Sequence, residues 1–279
     1  MSHARAVPVL MYHHVSPSPG MITVTVEHFE DQLRWLSSHG YRSLSSTEFA
    51  GHLAGQPVPK KSVLITFDDG YLDNWVYAYP LLKKYGFSAM LFLVTSWSKD
   101  GPPRPFMGQG GLPETPDHRE CEARARDGRS DEIAIRWSEA RIMQEEGVFE
   151  IHSHTHTHTR WDKLDPEQKN VHMAQELAQA RDTLAANLGG VSDHHCWPQG
   201  YYDPDYIELA RAAGFRHLYT TMAFGRNLPG SDPTLISRFA VRNTTGGSVG
   251  RRIRVAAHPV IGPVFNRFKL WKRRRRNRQ

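Results

Sequence analysis

An α/β fold built on a parallel sheet or barrel is what the sequence predicts, on three observations. Short apolar runs rich in β-branched residues recur along the chain, with amphipathic helical stretches between them at spacings too long for hairpins. Two of the runs end in clusters of chemistry-bearing side chains, which is where α/β folds place their sites. The pivotal run is Val63-Leu-Ile-Thr-Phe67, which closes on Asp68-Asp69-Gly70. Two acids at the end of a buried strand need a cation, a basic partner or a proton to be tolerated there. On the surface they would be no more than a polar turn.

In chain order, residues 7–15 read as a first strand, with Pro8 at its edge. Thr25 caps a helix with Phe29, Leu33 and Leu36 at helical spacing and Gly40 beyond its end. Ser45 to Glu48 has capping-box form ahead of Phe49 and Leu53. After the Asp-Asp strand, residues 71–85 read as a helix with Trp75, Tyr79 and Leu82 on one face and Gly86 as its stop. Residues 88–95 form another buried strand. Residues 97–131 break the rhythm, with Gly and Pro first and charge afterwards, and are expected to be an insertion or lid.

A short helix over 138–146 and a strand over 148–151 resume the alternation. Asp165-Pro166 is expected to open a long helix ending at Leu188 before Gly189-Gly190. Residues 194–200 read as a strand into a turn, Asp203-Pro204 as the start of a helix, and 216–221 and 235–241 as further strands.

The composition is globular, with 39% hydrophobic and 23% charged residues, which excludes wholesale disorder. Two cysteines, Cys121 and Cys196, form no framework and fit a reducing, intracellular setting. The apolar stretch near the first residue is too short for a signal segment or a membrane span, so a cytoplasmic location is expected. The net charge of +6 is unevenly spread. Residues 251–279 carry 11 Lys/Arg and no acid, which leaves 24 Lys/Arg against 29 Asp/Glu, a net of −5, in residues 1–250. The expected organisation is a catalytic domain over 1–250, with 97–131 as insertion, and a basic, aromatic-containing tail over 251–279.

His152, His154, His156 and His158 crowd seven residues just past a strand. Any one of them alone reads as a surface or loop histidine; the cluster beside a strand-end Asp pair reads as metal coordination. Two imidazoles and one carboxylate leave positions open for water and a substrate oxygen, and a second carboxylate off the metal is placed to take a proton. Because successive strand side chains point to opposite sides, Asp68 and Asp69 would divide those tasks.

Thr66-Phe-Asp-Asp-Gly70, His154-Thr155-x-x-His158 and Trp197-Pro-Gln-Gly200 resemble the three leading motifs of the polysaccharide deacetylases, carbohydrate esterase family 4, in order and in placement. The resemblance spans roughly residues 7–241 and implies a distorted (β/α) barrel that removes N-acetyl groups from amino sugars. It implies Asp68 as catalytic base and Asp69, His154 and His158 as ligands of a divalent metal. By ligand type Zn²⁺, Co²⁺ and Ni²⁺ suit this set about equally. It further implies that Trp197, Pro198 and Gly200 shape the substrate groove, with the backbone N–H of Tyr201 as oxyanion donor.

Two departures stand out. Cys196 occupies the place where many members carry an arginine that orients the base. The late Leu-x-His motif that supplies the general acid is missing, yet Leu10-Met-Tyr-His13 has its form at the other end of the chain. That arrangement resembles the circularly permuted poly-β-1,6-N-acetylglucosamine deacetylase branch and implies His13 as general acid. His14, of opposite strand parity, reads as a hydrogen-bonded buried histidine.

Phe265, Phe268 and Trp271 beside Lys272, Arg273 and the arginines that follow suit an interfacial segment on an anionic membrane rather than a nucleic-acid contact, which the acidic body would oppose. The expected substrate is therefore an N-acetylhexosamine linked to polyprenyl phosphate at the inner leaflet, used in envelope glycolipid or lipopolysaccharide modification. Deacetylation of polymeric or oligomeric N-acetylglucosamine and a non-catalytic sugar- or membrane-binding scaffold are the alternatives.

Overall fold

The computed structural model describes residues 3–276. Among the described residues there are ten strands: β1 (Val9–Tyr12), β2 (His14–Ser16), β3 (Thr23–Thr25), β4 (Arg42–Ser43), β5 (Ser62–Phe67), β6 (Ala89–Leu93), β7 (Phe149–Ser153), β8 (His194–Cys196), β9 (His217–Tyr219) and β10 (Phe239–Ala240). The main sheet runs β10-β1-β5-β6-β7-β8-β9 with every pairing parallel, and β4 lies beside the start of β5. Ile236, just ahead of β10, bridges Tyr219 of β9 in parallel, so the sheet curls until its two ends meet. The first strand of the chain thus sits between β5 and the last strand, as a permuted barrel requires.

Two apolar layers hold this sheet. Between sheet and helices, Tyr12, Phe29, Phe67 and Phe149 form a column of edge-on and stacked rings 5.2 to 5.8 Å apart. Contacts of this kind contribute about 0.5–1.5 kcal/mol each beyond their buried area. Inside the barrel, Val9, Leu64, Met90, Phe92, Tyr219 and Ile236 pack together, and Phe49 from the helix Ser46–Leu53 closes this layer.

The helix signals are realised locally. Thr25 caps Val26–Ser38 by accepting from His28 N–H, and Ser45 and Glu48 form the expected capping box. Two features depart from the sequence expectation. The first predicted strand is cut at His13, because β2 leaves the barrel to pair with β3. The Asp165-Pro166 pair does not open the long helix, which runs Lys169–Leu188. Asp165 instead follows the short helix Trp161–Leu164 and accepts from Gln168 N–H and from His172 Nε2, capping the turn in between.

Residues 97–131 are anchored rather than loose. The Arg104 guanidinium is forked onto the buried carboxylate of Glu139 at 2.7 and 2.8 Å and also donates to the carbonyls of Asp131 and Ala134. Phe106 packs edge-on against Trp75 and Tyr79. This segment contributes the helix His118–Arg126, capped by Asp117.

Residue 250, where the sequence suggested that the catalytic body ends, lies within the helix Gly246–Ala257. Val249 and Ile253 of that helix are buried in the main core, and Gly246 and Gly250 abut Asp31 and Trp35 so closely that a Cβ would not fit. The packed body therefore reaches Ala257. A second helix, Ile261–Arg276, follows and leaves Ile261, Val264, Phe268 and Trp271 exposed at helical spacing. Phe265 is partly covered by Arg252, whose guanidinium carbon is 4.9 Å from its ring centroid. Lys272 is exposed, and the side chain of Arg273 lies outside what the structure describes. Among the described residues, no helix is long and apolar enough to cross a membrane.

Candidate active site

Strand β5 delivers Asp68 and Asp69 at its carboxyl end, both almost fully buried. Asp69 adopts φ 75° and Gly70 φ 80°, and a Cβ on Gly70 would lie 2.2 Å from Leu93 Cδ1. The motif's glycine is therefore demanded by both conformation and space. A left-handed aspartate costs on the order of 1–3 kcal/mol, and such strain is characteristically kept at functional sites.

Strand β7 delivers the histidines. His154 Nε2 and His158 Nε2 each lie 3.3 Å from the same oxygen, Asp69 Oδ1. Thr155 and His158 also have positive φ, at 65° and 63°, which curls the loop so that residues four apart face one carboxylate. Glu176, buried on the helix Lys169–Leu188, accepts from His156 N–H (2.8 Å), Thr157 N–H (2.7 Å), the Thr157 hydroxyl and Trp161 Nε1–H (3.2 Å), and so clamps the loop. Burial alone would raise the Asp69 pKa. The His154 hydrogen bond and the nearby His158 and His13 outweigh it and hold the carboxyl well below its usual range. Burial pushes His158 down to about 4, which leaves a neutral imidazole with a free lone pair.

These residues fit a divalent cation. His154 Nδ1–H donates to the Cys196 carbonyl at 2.7 Å, which fixes the tautomer and aims Nε2 at Asp69, the outer-shell pattern of metal-ligating histidines. The carboxylate and two imidazoles are the donor set of open metal sites.

Asp68 points elsewhere, into a clamp that motif reading missed. Arg238 donates to both of its oxygens, Nη1 to Oδ1 at 2.6 Å and Nη2 to Oδ2 at 2.8 Å, and is itself fully buried. Arg238 Nη2 also lies 2.9 Å from Cys196 Sγ. The arginine absent from position 196 is thus replaced in space by one arriving from the segment before β10, and the small thiol leaves room for its guanidinium. Burial would raise the Asp68 pKa, but Arg238 outweighs it by charge and hydrogen bonding and keeps the carboxyl ionised. The signal was present in the sequence, as a lone charge inside the apolar run Leu235-Ile-Ser-Arg-Phe-Ala-Val241.

His13 Nε2 is 3.8 Å from Asp68 Oδ2 on the wall of the same cavity, and burial lowers its pKa against the pull of Asp68 and Asp69. His14 turns away into the protein, its Nδ1 2.6 Å from Asp73 Oδ2. His156 is held by Thr95, and His152 lies lower in the barrel against Ser192.

The third motif is only partly where expected. Gly200 lines the cavity, and a Cβ there would strike Thr221 at 2.2 Å. Pro198 is buried in the turn beneath it. Trp197, however, is fully buried against Tyr206 and His195 and forms part of a core cluster instead of a groove wall. The expected oxyanion donor is also engaged: Gln199 and Gly200 take positive φ and fold a tight turn in which Tyr201 N–H donates to Pro198 O at 3.2 Å.

The cavity over Asp68 and Asp69 measures 390 Å³, the size of small-ligand sites. Tyr71, Trp97 and the helix of the 97–131 segment contribute one side of its wall, and Thr157, Thr159, Gln199 and Thr221 also line it.

Comparison with known proteins agrees with this geometry. The family model for polysaccharide deacetylase matches residues 55–218. YxkH of Bacillus subtilis (strain 168), named for the same family, is 45% identical over 89 residues, 32% of each chain. The poly-beta-1,6-N-acetyl-D-glucosamine N-deacetylase of Staphylococcus aureus (strain MSSA476) is 41% identical over 75 residues, 26% of this chain and 25% of that one. The matched regions thus span a third or less of these relatives.

Among solved structures, IcaB from Ammonifex degensii superposes with a TM-score of 0.71 at 24% identity, covering 90% of this chain and 98% of that one. The Streptococcus pyogenes deacetylase PplD gives 0.70 at 20%, covering 90% and 99%, so these likenesses establish the fold. With the family model matched over more than half its length, the chain belongs to the polysaccharide deacetylase family.

Proposed function

We propose that the protein hydrolyses the N-acetyl group of an N-acetylated amino sugar. The observation that carries this reading is the division of labour at the end of β5: Asp69 shares one oxygen between two imidazoles, while its neighbour Asp68 is held apart by Arg238. A divalent cation held by Asp69, His154 and His158 would supply Lewis-acid polarisation of the amide carbonyl and acidify a water. Asp68, kept ionised by Arg238, accepts the proton as that water attacks. His13, 3.8 Å from Asp68, delivers a proton to the departing amine. Base and acid of this kind each contribute about 10²–10⁴-fold.

The substrate we favour is an N-acetylhexosamine linked to polyprenyl phosphate. The exposed row Ile261, Val264, Phe268 and Trp271 beside Lys272 supports it, because an apolar stripe flanked by cations suits an anionic bilayer face, here the cytoplasmic one. The second reading, polymeric N-acetylglucosamine, is favoured by the likeness to the poly-beta-1,6-N-acetyl-D-glucosamine N-deacetylase of Staphylococcus aureus.

Acetate release from a lipid-linked N-acetylhexosamine and from a β-1,6-linked N-acetylglucosamine oligomer, measured with vesicles of phosphatidylglycerol present, separates the two. Faster release from the lipid-linked sugar, lost when residues 258–279 are removed, supports the first. Release from the oligomer alone supports the second. No chelator-sensitive release from either rejects the hydrolase reading and leaves a sugar- or membrane-binding scaffold.

A further inference from the structure

The cavity wall contributed by the 97–131 segment carries a side chain that the catalytic assignment leaves unused. His118, first residue of its helix, lines the cavity and has its Nδ1 turned inward, 3.3 Å from His14 Nε2 and 3.4 Å from the Tyr71 hydroxyl. His14 is 1% exposed and its ring stacks on Tyr71 at 3.9 Å between centroids. Its Nδ1 lies 2.6 Å from Asp73 Oδ2, and Asp73 also receives Asn74 Nδ2–H at 2.8 Å and Val15 N–H at 3.4 Å.

An ionised carboxylate only accepts, so the proton between Asp73 and His14 sits on His14 Nδ1. His14 Nε2 is then a buried lone pair, and the N–H within reach is that of His118 Nδ1. With that proton placed, His118 Nε2 is left as an acceptor on the cavity wall, 3.7 Å from another acceptor, Glu122 Oε1, one helical turn on. The two cannot bond to each other, but both can be satisfied by adjacent donors.

We propose that the chain Asp73–His14–His118 fixes His118 Nε2 as a substrate-binding acceptor which, with Glu122, recognises two adjacent unsubstituted hydroxyls of the sugar. His118 touches the sugar, while His14 and Asp73 are positioning residues. A 6-linked or 1-linked N-acetylhexosamine keeps its neighbouring 3- and 4-hydroxyls, whereas a 4-linked residue does not, so the wall selects by linkage. This rests on the amino-sugar reading above and narrows its substrate class.

The test is a binding cycle by titration calorimetry, with metal content measured alongside. The probes are a β-1,6-linked N-acetylglucosamine trisaccharide and its 3-deoxy and 4-deoxy analogues. Loss of one such hydrogen bond weakens binding about tenfold. For the wild type, one deoxy analogue should bind about tenfold more weakly than the parent. His118→Ala should bind the parent about tenfold more weakly yet lose nothing further on that analogue.

His118→Gln, which returns an acceptor, should recover most of the parent's affinity. His14→Phe, which keeps the stack on Tyr71, should behave like His118→Ala with metal content unchanged. Independent, additive losses from protein and sugar changes, or unchanged affinity in His118→Ala, would overturn the proposal. Binding with no acetate release from either the trisaccharide or the lipid-linked sugar would sink the deacetylase reading and leave the cycle readable. No binding of the trisaccharide at all would overturn the proposal, and acetate release from the lipid-linked sugar would still uphold the deacetylase reading.

Discussion

Asp69, His154 and His158 lie at the carboxyl end of the barrel, and Asp193, His194 and His217 at the amino end of β8 and β9. Each set brings one carboxylate and two imidazoles within reach of one another. The polar distances barely differ: 3.3 and 3.3 Å at the first, 3.5 and 3.2 Å at the second. What differs is orientation. The rings of His154 and His158 are 5.0 Å apart and tilted by 55°, so their planes intersect and two lone pairs can converge on one ion. The rings of His194 and His217 are stacked at 4.4 Å and 14°, and nearly parallel planes share no point where both lone pairs aim. The backbone differs in the same sense: Asp69 and His158 are held at positive φ, whereas His194 and His217 are ordinary strand residues. Matching residue types and distances thus leave the two sets differently aimed: at the first a strained backbone turns the donors toward one point, and at the second ordinary strands stack the rings.

The largest effect expected is at the first cluster. Asp69→Asn removes the anionic member that both histidines face. Metal measured by mass spectrometry should fall from one ion per chain to near zero, and acetate release should drop by at least about 10³-fold, since Lewis-acid stabilisation supplies several kcal/mol of barrier lowering. A variant that kept its ion and its activity would break the contrast at its stronger end.

Next comes the clamp on Asp68. Arg238→Met strips one partner from a fully buried ion pair, which typically costs about 3–5 kcal/mol. Denaturant melts should show that loss. Arg238 holds the Asp68 pKa down, so its removal raises that pKa, and the acidic limb of the kcat/KM profile should move to higher pH. Arg238→Lys keeps the charge but not the fork, and should fall between the two. An unshifted acidic limb in Arg238→Met would show that the arginine is structural only.

Much of this arrangement was legible because its physics is local. The paired acids on an apolar run, the histidines past the next strand and the capping signals at Thr25 and Ser45 are each read within a few residues. Arg238 was missed because its meaning depends on a partner 170 positions away. Its sequence signal, one charge in an apolar strand, was the same one that singled out Asp68 and Asp69. Trp197 and Tyr201 were misplaced for another reason. A motif gives residue types but not the turn they adopt, and here positive φ at Gln199 and Gly200 turns the Tyr201 amide onto Pro198. The role of His118 was hidden because residues 97–131 have no periodicity, and only the anchoring of Arg104 on Glu139 fixes where their helix lands.

The buried histidines around the second cluster make their own contribution through protons. His152, in register beside His194, is fully buried and its pKa is pushed down to about 3 by burial; burial also holds His194 and His195 well below the usual value. Unfolded, each protonates near pH 6.5. Between those values the unfolded chain binds more protons, so stability is full above about pH 6.5 and is lost as pH falls toward 3. The slope is ~1.4 kcal/mol per pH unit for each such histidine. Urea melts between pH 7.5 and 5 should reveal it, and His152→Phe should lessen the slope. A flat profile would show that these imidazoles already titrate in the fold.

The smallest effect expected is the mirror of the first. Asp193→Asn makes the same chemical change as Asp69→Asn in the same donor set, but Asp193 is 41% exposed. Its carbonyl, which receives the backbone N–H groups of Arg216 and His217, is untouched by the change, and the new amide oxygen still accepts from an imidazole N–H. Burial keeps His194 neutral at pH 7.5, so the substitution removes little Coulomb energy there, and exposed pairs of this kind are worth about 0–1 kcal/mol. Stability should stay within that range, with metal content and acetate release unchanged. If Asp193→Asn instead cost one equivalent of bound metal, the stacked rings would have to rotate on loading, and ring orientation would no longer separate a metal site from a look-alike.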